Sequence, residues 1–155
     1  MADRPRVCLD LNVFVAAEIA LAKGHRDTTP LKLIDACRRG AVDLVISRAM
    51  LDRLAAVLRR PPLRLSLELA TERTEVIAEL AALPNLIVAG GGVLPLRDVE
   101  DRGVLEAAIA GRANYLATYN LADFTIEAGP GAGRLRVRDV EILHPAELAS
   151  ELGLG

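Results

Sequence analysis

Aromatic residues are scarce: two Phe, two Tyr and no Trp among 155 residues, or 3% of the chain. A core must therefore come from Leu, Val, Ile and Ala, which suits packed helices and buried strands. The hydrophobic fraction of 52% is too high for a disordered chain. A length of 155 residues fits one domain, since domains run to about 100–200 residues. At that size about 70% of the unfolded surface can be buried. We expect a single globular domain over residues 1–155.

Cysteine is equally sparse. Cys8 lies in an apolar run and Cys37 in a helix-like stretch, outside any C-x-x-C or Cys/His cluster, so both read as buried thiols. A disulfide framework is not expected, which points to a reducing cytoplasmic compartment. The N-terminal apolar run is short and interrupted by Asp10 and Asn12, unlike a signal peptide. No segment has the roughly 18 uncharged apolar residues of a membrane span. The two histidines, His25 in a polar loop and His144 before Pro145, stand where neither serves a serine or cysteine nucleophile as base. Gly90-Gly91-Gly92 lacks the Gly-Lys-Ser/Thr of a P-loop. Lysine is limited to Lys23 and Lys32, leaving 17 arginines against a net charge of −2. Arginine suits bidentate phosphate contact, but genomic base composition gives the same bias, and the charge total does not separate the two.

Strand signals fall at Arg6–Leu11, Asp43–Ile46, Leu86–Ala89, Tyr115–Thr118 and Val137–Leu143. Helical signals alternate with them at Val13–Lys23, Leu31–Arg39, Arg48–Arg60 behind the N-cap Ser47, Ser66–Leu83, Asp101–Ala110 and Pro145–Leu152. Alternating strands and helices predict an α/β fold: a parallel sheet with helices on both faces, in three layers.

Within that frame three carboxylates share a placement. Asp10 ends the first strand, Asp101 begins a helix and Asp123 follows the strand ending at Thr118. In an open parallel sheet such positions gather on one edge. Clustered acids repel unless a cation neutralises them, and carboxylate oxygens suit Mg²⁺ or Mn²⁺. That apparatus fits phosphodiester hydrolysis. Each acid also has a plain structural role open to it: Asp10 as a helix cap, Asp101 as a helix-dipole acid, Asp123 as a turn residue. A haloacid-dehalogenase-type phosphatase also opens with a strand and Asp, but it needs a second Asp at position 12, where this chain has Asn.

Val7–Phe14, Ile46–Pro61, Leu96–Asp101, Thr118–Phe124 and Val140–Leu148, five short blocks in order over residues 6 to 149, together resemble the PIN-domain family. Val7-Cys8-Leu9-Asp10-Leu11-Asn12-Val13-Phe14 resembles its opening Asp-x-Asn strand. Ile46-Ser47 through Leu58-Arg59-Arg60-Pro61 resembles its serine-initiated helix. Leu96-Arg97-Asp98-Val99-Glu100-Asp101 and the alanine-rich helix after it resemble its acidic loop. Thr118-Tyr119-Asn120-Leu121-Ala122-Asp123-Phe124 is similar to its final acidic block in one bacterial branch, and Val140–Leu148 to that branch's closing strand and helix. The resemblance implies a metal-dependent endoribonuclease of the VapC-like bacterial toxin type, with an RNA substrate, an antitoxin partner and a homodimeric state. It implies Asp10, Asp101 and Asp123 as catalytic metal ligands on Mg²⁺ or Mn²⁺. Asn12, Ser47, Thr118 and Asn120 would orient them or the substrate, and Asp98 is either an auxiliary acid or a solvated loop residue.

One position departs from the pattern. Family members usually carry Glu six residues after the serine, and here Arg53 stands there, beside Asp52. One residue along a helix turns a side chain by about 100°, so Asp52 replaces that Glu only in a rotated register. Otherwise a cation occupies a ligand position, and the alternative is a PIN-like module that binds RNA or protein without cutting.

Overall fold

The computed structural model describes residues 4–81, 87–88, 99–124 and 135–154, and of 87–88, 99–102 and 123 the backbone alone. The order is β1 (Arg6–Leu9), α1 (Leu11–Ala22), α2 (Thr29–Arg38), β2 (Asp43–Ser47), α3 (Arg48–Leu58), α4 (Leu67–Leu80) and β3 (Ile87–Val88). Then come α5 (Val99–Ala110), β4 (Tyr115–Ala117), a 3-10 turn (Leu121–Phe124), β5 (Leu135–Val137), β6 (Val140–Leu143) and α6 (Pro145–Glu151).

Strand chemistry sets the layers. Successive strand residues point to opposite sheet faces, yet Val7, Cys8 and Leu9 are all buried. Both faces of β1 are therefore covered, the condition for a parallel sheet between helical layers. On one face Cys8 Sγ meets the Val104 carbonyl of α5 at 3.9 Å. The sheet order is β3-β2-β1-β4-β6-β5. The first five of these are parallel, and β5 pairs antiparallel with β6. The chain steps outward from β1 to β2 and β3, then returns to place β4 on the other side of β1. That reversal opens a crevice at the carboxyl ends of β1 and β4.

The expected last strand over Val137–Leu143 is instead a hairpin, β5 and β6, turning at Arg138-Asp139. Arg138 adopts φ 53°, a left-handed conformation that a continuous strand cannot contain. The sheet is thus mostly, not wholly, parallel.

Helix boundaries follow local chemistry. Asp10 caps α1, so that helix begins at Leu11, two residues before the apolar pattern predicts. Left-handed Gly24 (φ 75°) and Gly40 (φ 77°) follow the ends of α1 and α2. Ser47 Oγ accepts from Met50 N at 3.0 Å and starts α3, whose Met50, Leu51, Leu54 and Leu58 form one buried stripe. Ser66 caps α4 in the same way. Arg73 of α4 grips Glu18 of α1, its Nε donating to Oε1 at 2.9 Å and to Oε2 at 3.2 Å. No helix among the described residues is long and apolar enough to cross a membrane.

Candidate active site at the carboxyl edge of the sheet

Asp10 lies where the β1 backbone turns into α1, its own N–H donating to Ala117 O of β4 at 2.9 Å. Only 5% of the residue is exposed. A carboxylate so placed is costly without polar partners, and its two oxygens are used differently. Oδ1 accepts from Leu11 N at 2.7 Å, which caps the helix. Oδ2 accepts from Thr118 Oγ1 at 2.7 Å and, more weakly, from Asn12 Nδ2 at 3.4 Å. The capping role and the site role thus belong to one side chain.

Thr118 is fully buried just past β4. A hydroxyl offers one donor and two lone pairs. Here the proton goes to Asp10, while Asn120 N donates to the oxygen at 3.0 Å and Asn12 Nδ2 approaches it at 3.4 Å. Asn12 Oδ1 in turn accepts from Tyr119 N at 3.4 Å. Asp10, Asn12, Thr118 and Asn120 therefore form one hydrogen-bonded group across the crevice between β1 and β4. Ser47 sits beside it at the end of β2, buried, with its hydroxyl committed to capping α3.

Asp101 is in the first turn of α5 and Asp123 in the 3-10 turn after β4. The side chains of both lie outside the described residues, as does the whole of Asp98. Backbone geometry still gives Asp101 its level. Arg6 Nη1 donates to Gly111 O at 3.1 Å, and Cys8 Sγ reaches Val104 O, so α5 runs antiparallel to β1. Three residues before Val104, about 4.5 Å further along the axis, Asp101 stands at the carboxyl end of β1. The next residue after Asp123, Phe124, is fully buried, and the 3-10 turn packs against β6.

On α3, Asp52 is exposed and Arg53 half-buried. The helix therefore keeps the register in which Arg53, not Asp52, lies on the more covered side.

Sequence reasoning passed over the outer rim of this edge. Tyr119 is 37% exposed, and its ring meets that of His144 edge-on, with centroids 5.1 Å apart and planes at 86°. Their strands pair through Ala117 and Leu143. His144 Nδ1 accepts from Ala146 N at 3.1 Å, and His144 N donates to Glu147 Oε1 at 3.3 Å, so this histidine caps α6. The missed signal was scarcity: one of four aromatic residues stands inside the motif Thr118–Phe124.

Both cysteines are buried and outside any disulfide. Burial, then the Asp10 charge, drives the Cys8 thiol far above its ordinary range. Burial and the Asp43 charge push Cys37 up to about 12. Neutral thiols are poor nucleophiles.

Among the described residues no group of three or more His, Cys, Asp or Glu could hold a metal ion. The side chains described around Asp10 at this edge, those of Asn12, Thr118 and Asn120, offer oxygen donors, a chemistry that fits a hard divalent cation.

No curated protein and no solved structure matches the chain. A family model described as the PIN domain matches residues 6–122, from the start of β1 to the turn after β4. That span contains Asp10, Asn12, Thr118 and Asn120, the four residues joined across the crevice, and the chain belongs to the PIN-domain family.

Proposed function

We propose that this protein is a metal-dependent endoribonuclease, the toxin half of a bacterial toxin–antitoxin pair, in which Asp10, Asp101 and Asp123 bind Mg²⁺ or Mn²⁺. PIN domains are generally nucleases, act on RNA and typically bind divalent metals. The observation that carries the reading is the buried Asp10, braced by Thr118 and Asn12 where the strand order reverses. A bound divalent ion would supply a hydroxide at neutral pH and charge for the leaving oxygen.

The chain's own residues do the rest. Leu11 N and Thr118 Oγ1 hold both Asp10 oxygens, so the carboxylate is positioned before any ligand arrives. Asn12 ties β1 to the segment after β4 and keeps Tyr119 N and the Thr118 hydroxyl in place. Buried walls of Leu9, Leu116 and Phe124 exclude water from beneath the site. A single domain over 1–155, a cytoplasmic location, a homodimer and an antitoxin partner belong to the same proposal, supported by the order of the five motifs.

A second reading has its own observation: Arg53 is half-buried at the position where the family resemblance leads one to expect Glu. A guanidinium beside carboxylates competes with a metal cation for them, which would leave a binding module without turnover. One assay separates the two. Wild-type protein with millimolar Mn²⁺ is expected to cleave a fluorogenic single-stranded RNA, and Asp10→Asn to lose about 100-fold or more of that rate, the scale of losing a principal catalytic group. Failure of the wild type to cut, with cutting restored by Arg53→Glu, would establish the impaired module instead.

A further inference from the structure

We infer that the Tyr119 ring, braced edge-on by His144, is a stacking platform for one unpaired base of the RNA whose phosphate lies at Asp10. This rests on the nuclease reading and names its substrate class.

The chain has four aromatic side chains. Phe14 and Phe124 are fully buried and Tyr115 is half-buried, whereas Tyr119 is exposed. An exposed ring in so aromatic-poor a chain stands at the edge of the site, directly after Thr118. Its backbone N–H is tied to Asn12, which also contacts Asp10.

His144 limits how the platform moves. The T-shaped contact at 5.1 Å sets the tyrosine ring against His144, which is itself fixed by capping α6. Edge-to-face packing is a favourable aromatic geometry, so the ring is held while 37% of the residue stays exposed. Partial burial raises the Tyr119 phenol above its ordinary value. A tyrosine ring is uncharged at neutral pH in any case and does not repel a phosphate backbone.

Duplex bases have both faces stacked, while bases in single strands and loops are free to stack on protein rings. Stacking is tolerant of base identity because every base has a π-face. The platform therefore selects for unpaired RNA and not for sequence.

The test measures binding without cutting. Fluorescence anisotropy of a labelled single-stranded oligoribonucleotide is recorded with Ca²⁺ in place of Mg²⁺ or Mn²⁺ for wild type, Tyr119→Ala, Tyr119→Leu and Tyr119→Phe. A base–aromatic stack of ordinary strength predicts about 10-fold weaker binding for Tyr119→Ala and Tyr119→Leu. Tyr119→Phe keeps the ring and should stay within about twofold. With an oligonucleotide abasic throughout, the difference between variants should vanish.

Tyr119→Leu fills similar volume and carries the test if Tyr119→Ala fails to fold. Equal binding by Tyr119→Leu and wild type overturns the platform, as does an equal loss on the abasic strand. RNA cleaved in an Asp10-dependent way with no Tyr119 effect on binding removes the platform alone. Tyr119-dependent binding without cleavage by wild type leaves the platform and removes the nuclease reading.

Discussion

The two edges of the sheet each carry an aspartate, and they are built to opposite ends. At the amino edge Asp43 begins β2, and its carboxylate pairs with the exposed guanidinium of Arg4 at 3.1 Å. Around it the polar groups close on one another. Arg6 N donates to Asn114 Oδ1 at 2.8 Å, Asn114 N to Arg6 O at 2.7 Å, and Asp43 N to Pro5 O at 2.9 Å. At the carboxyl edge Asp10 is buried, and its partners include a hydroxyl, an amide and a backbone N–H. Exposed ion pairing at one edge stabilises the fold; at the other, these three donors orient a buried carboxylate. The same residue type thus serves stability or chemistry according to the edge on which the topology places it.

Substitutions at the two edges should separate accordingly. Thr118→Val keeps shape but removes the hydroxyl that donates to Asp10 Oδ2. Losing a partner of a buried polar group costs about 1–3 kcal/mol, and loss of an orienting partner typically lowers metal affinity or activity about 10- to 100-fold. Both effects should be seen, by denaturant melts and by the RNA assay. If activity survives unchanged, the bracing of Asp10 is structural only.

Gly111 tests the amino side, where the end of α5 closes against β2. A Cβ at this position would lie 2.2 Å from Val45 Cγ1. Gly111→Ala should therefore destabilise by about 1–3 kcal/mol, the range for overpacking. For a chain of this length that lowers Tm by about 2–4 °C per kcal/mol. Cleavage per folded molecule should not change, and a specific loss of cleavage would blur the contrast between the edges. Arg4→Ala should show the smallest effect, within about 1 kcal/mol and shrinking with salt, as for an exposed ion pair.

Much of this was legible in the sequence because strong local signals agreed with the fold. Val7-Cys8-Leu9 followed by Asp marks β1 and its end, and Ser47 marks the start of α3. The hairpin at Arg138-Asp139 was not legible, since its turn has neither Gly nor Asn and puts an arginine at positive φ. Asn12 and Thr118 are 106 residues apart, and only the pairing of β1 with β4 brings them together. The stacked Tyr119 and His144 were hidden for the same reason, as their strands become neighbours only through the register of β4 and β6. Local chemistry is written in the chain, whereas contacts across strands follow from topology.

The most direct test of the contrast is calorimetric titration of Mn²⁺ into wild type, Asp10→Asn and Asp43→Asn. The account predicts equal affinity for wild type and Asp43→Asn, and a loss of about 10-fold or more for Asp10→Asn. Equal affinity in wild type and Asp10→Asn, or no Mn²⁺ binding by the wild type, would contradict it.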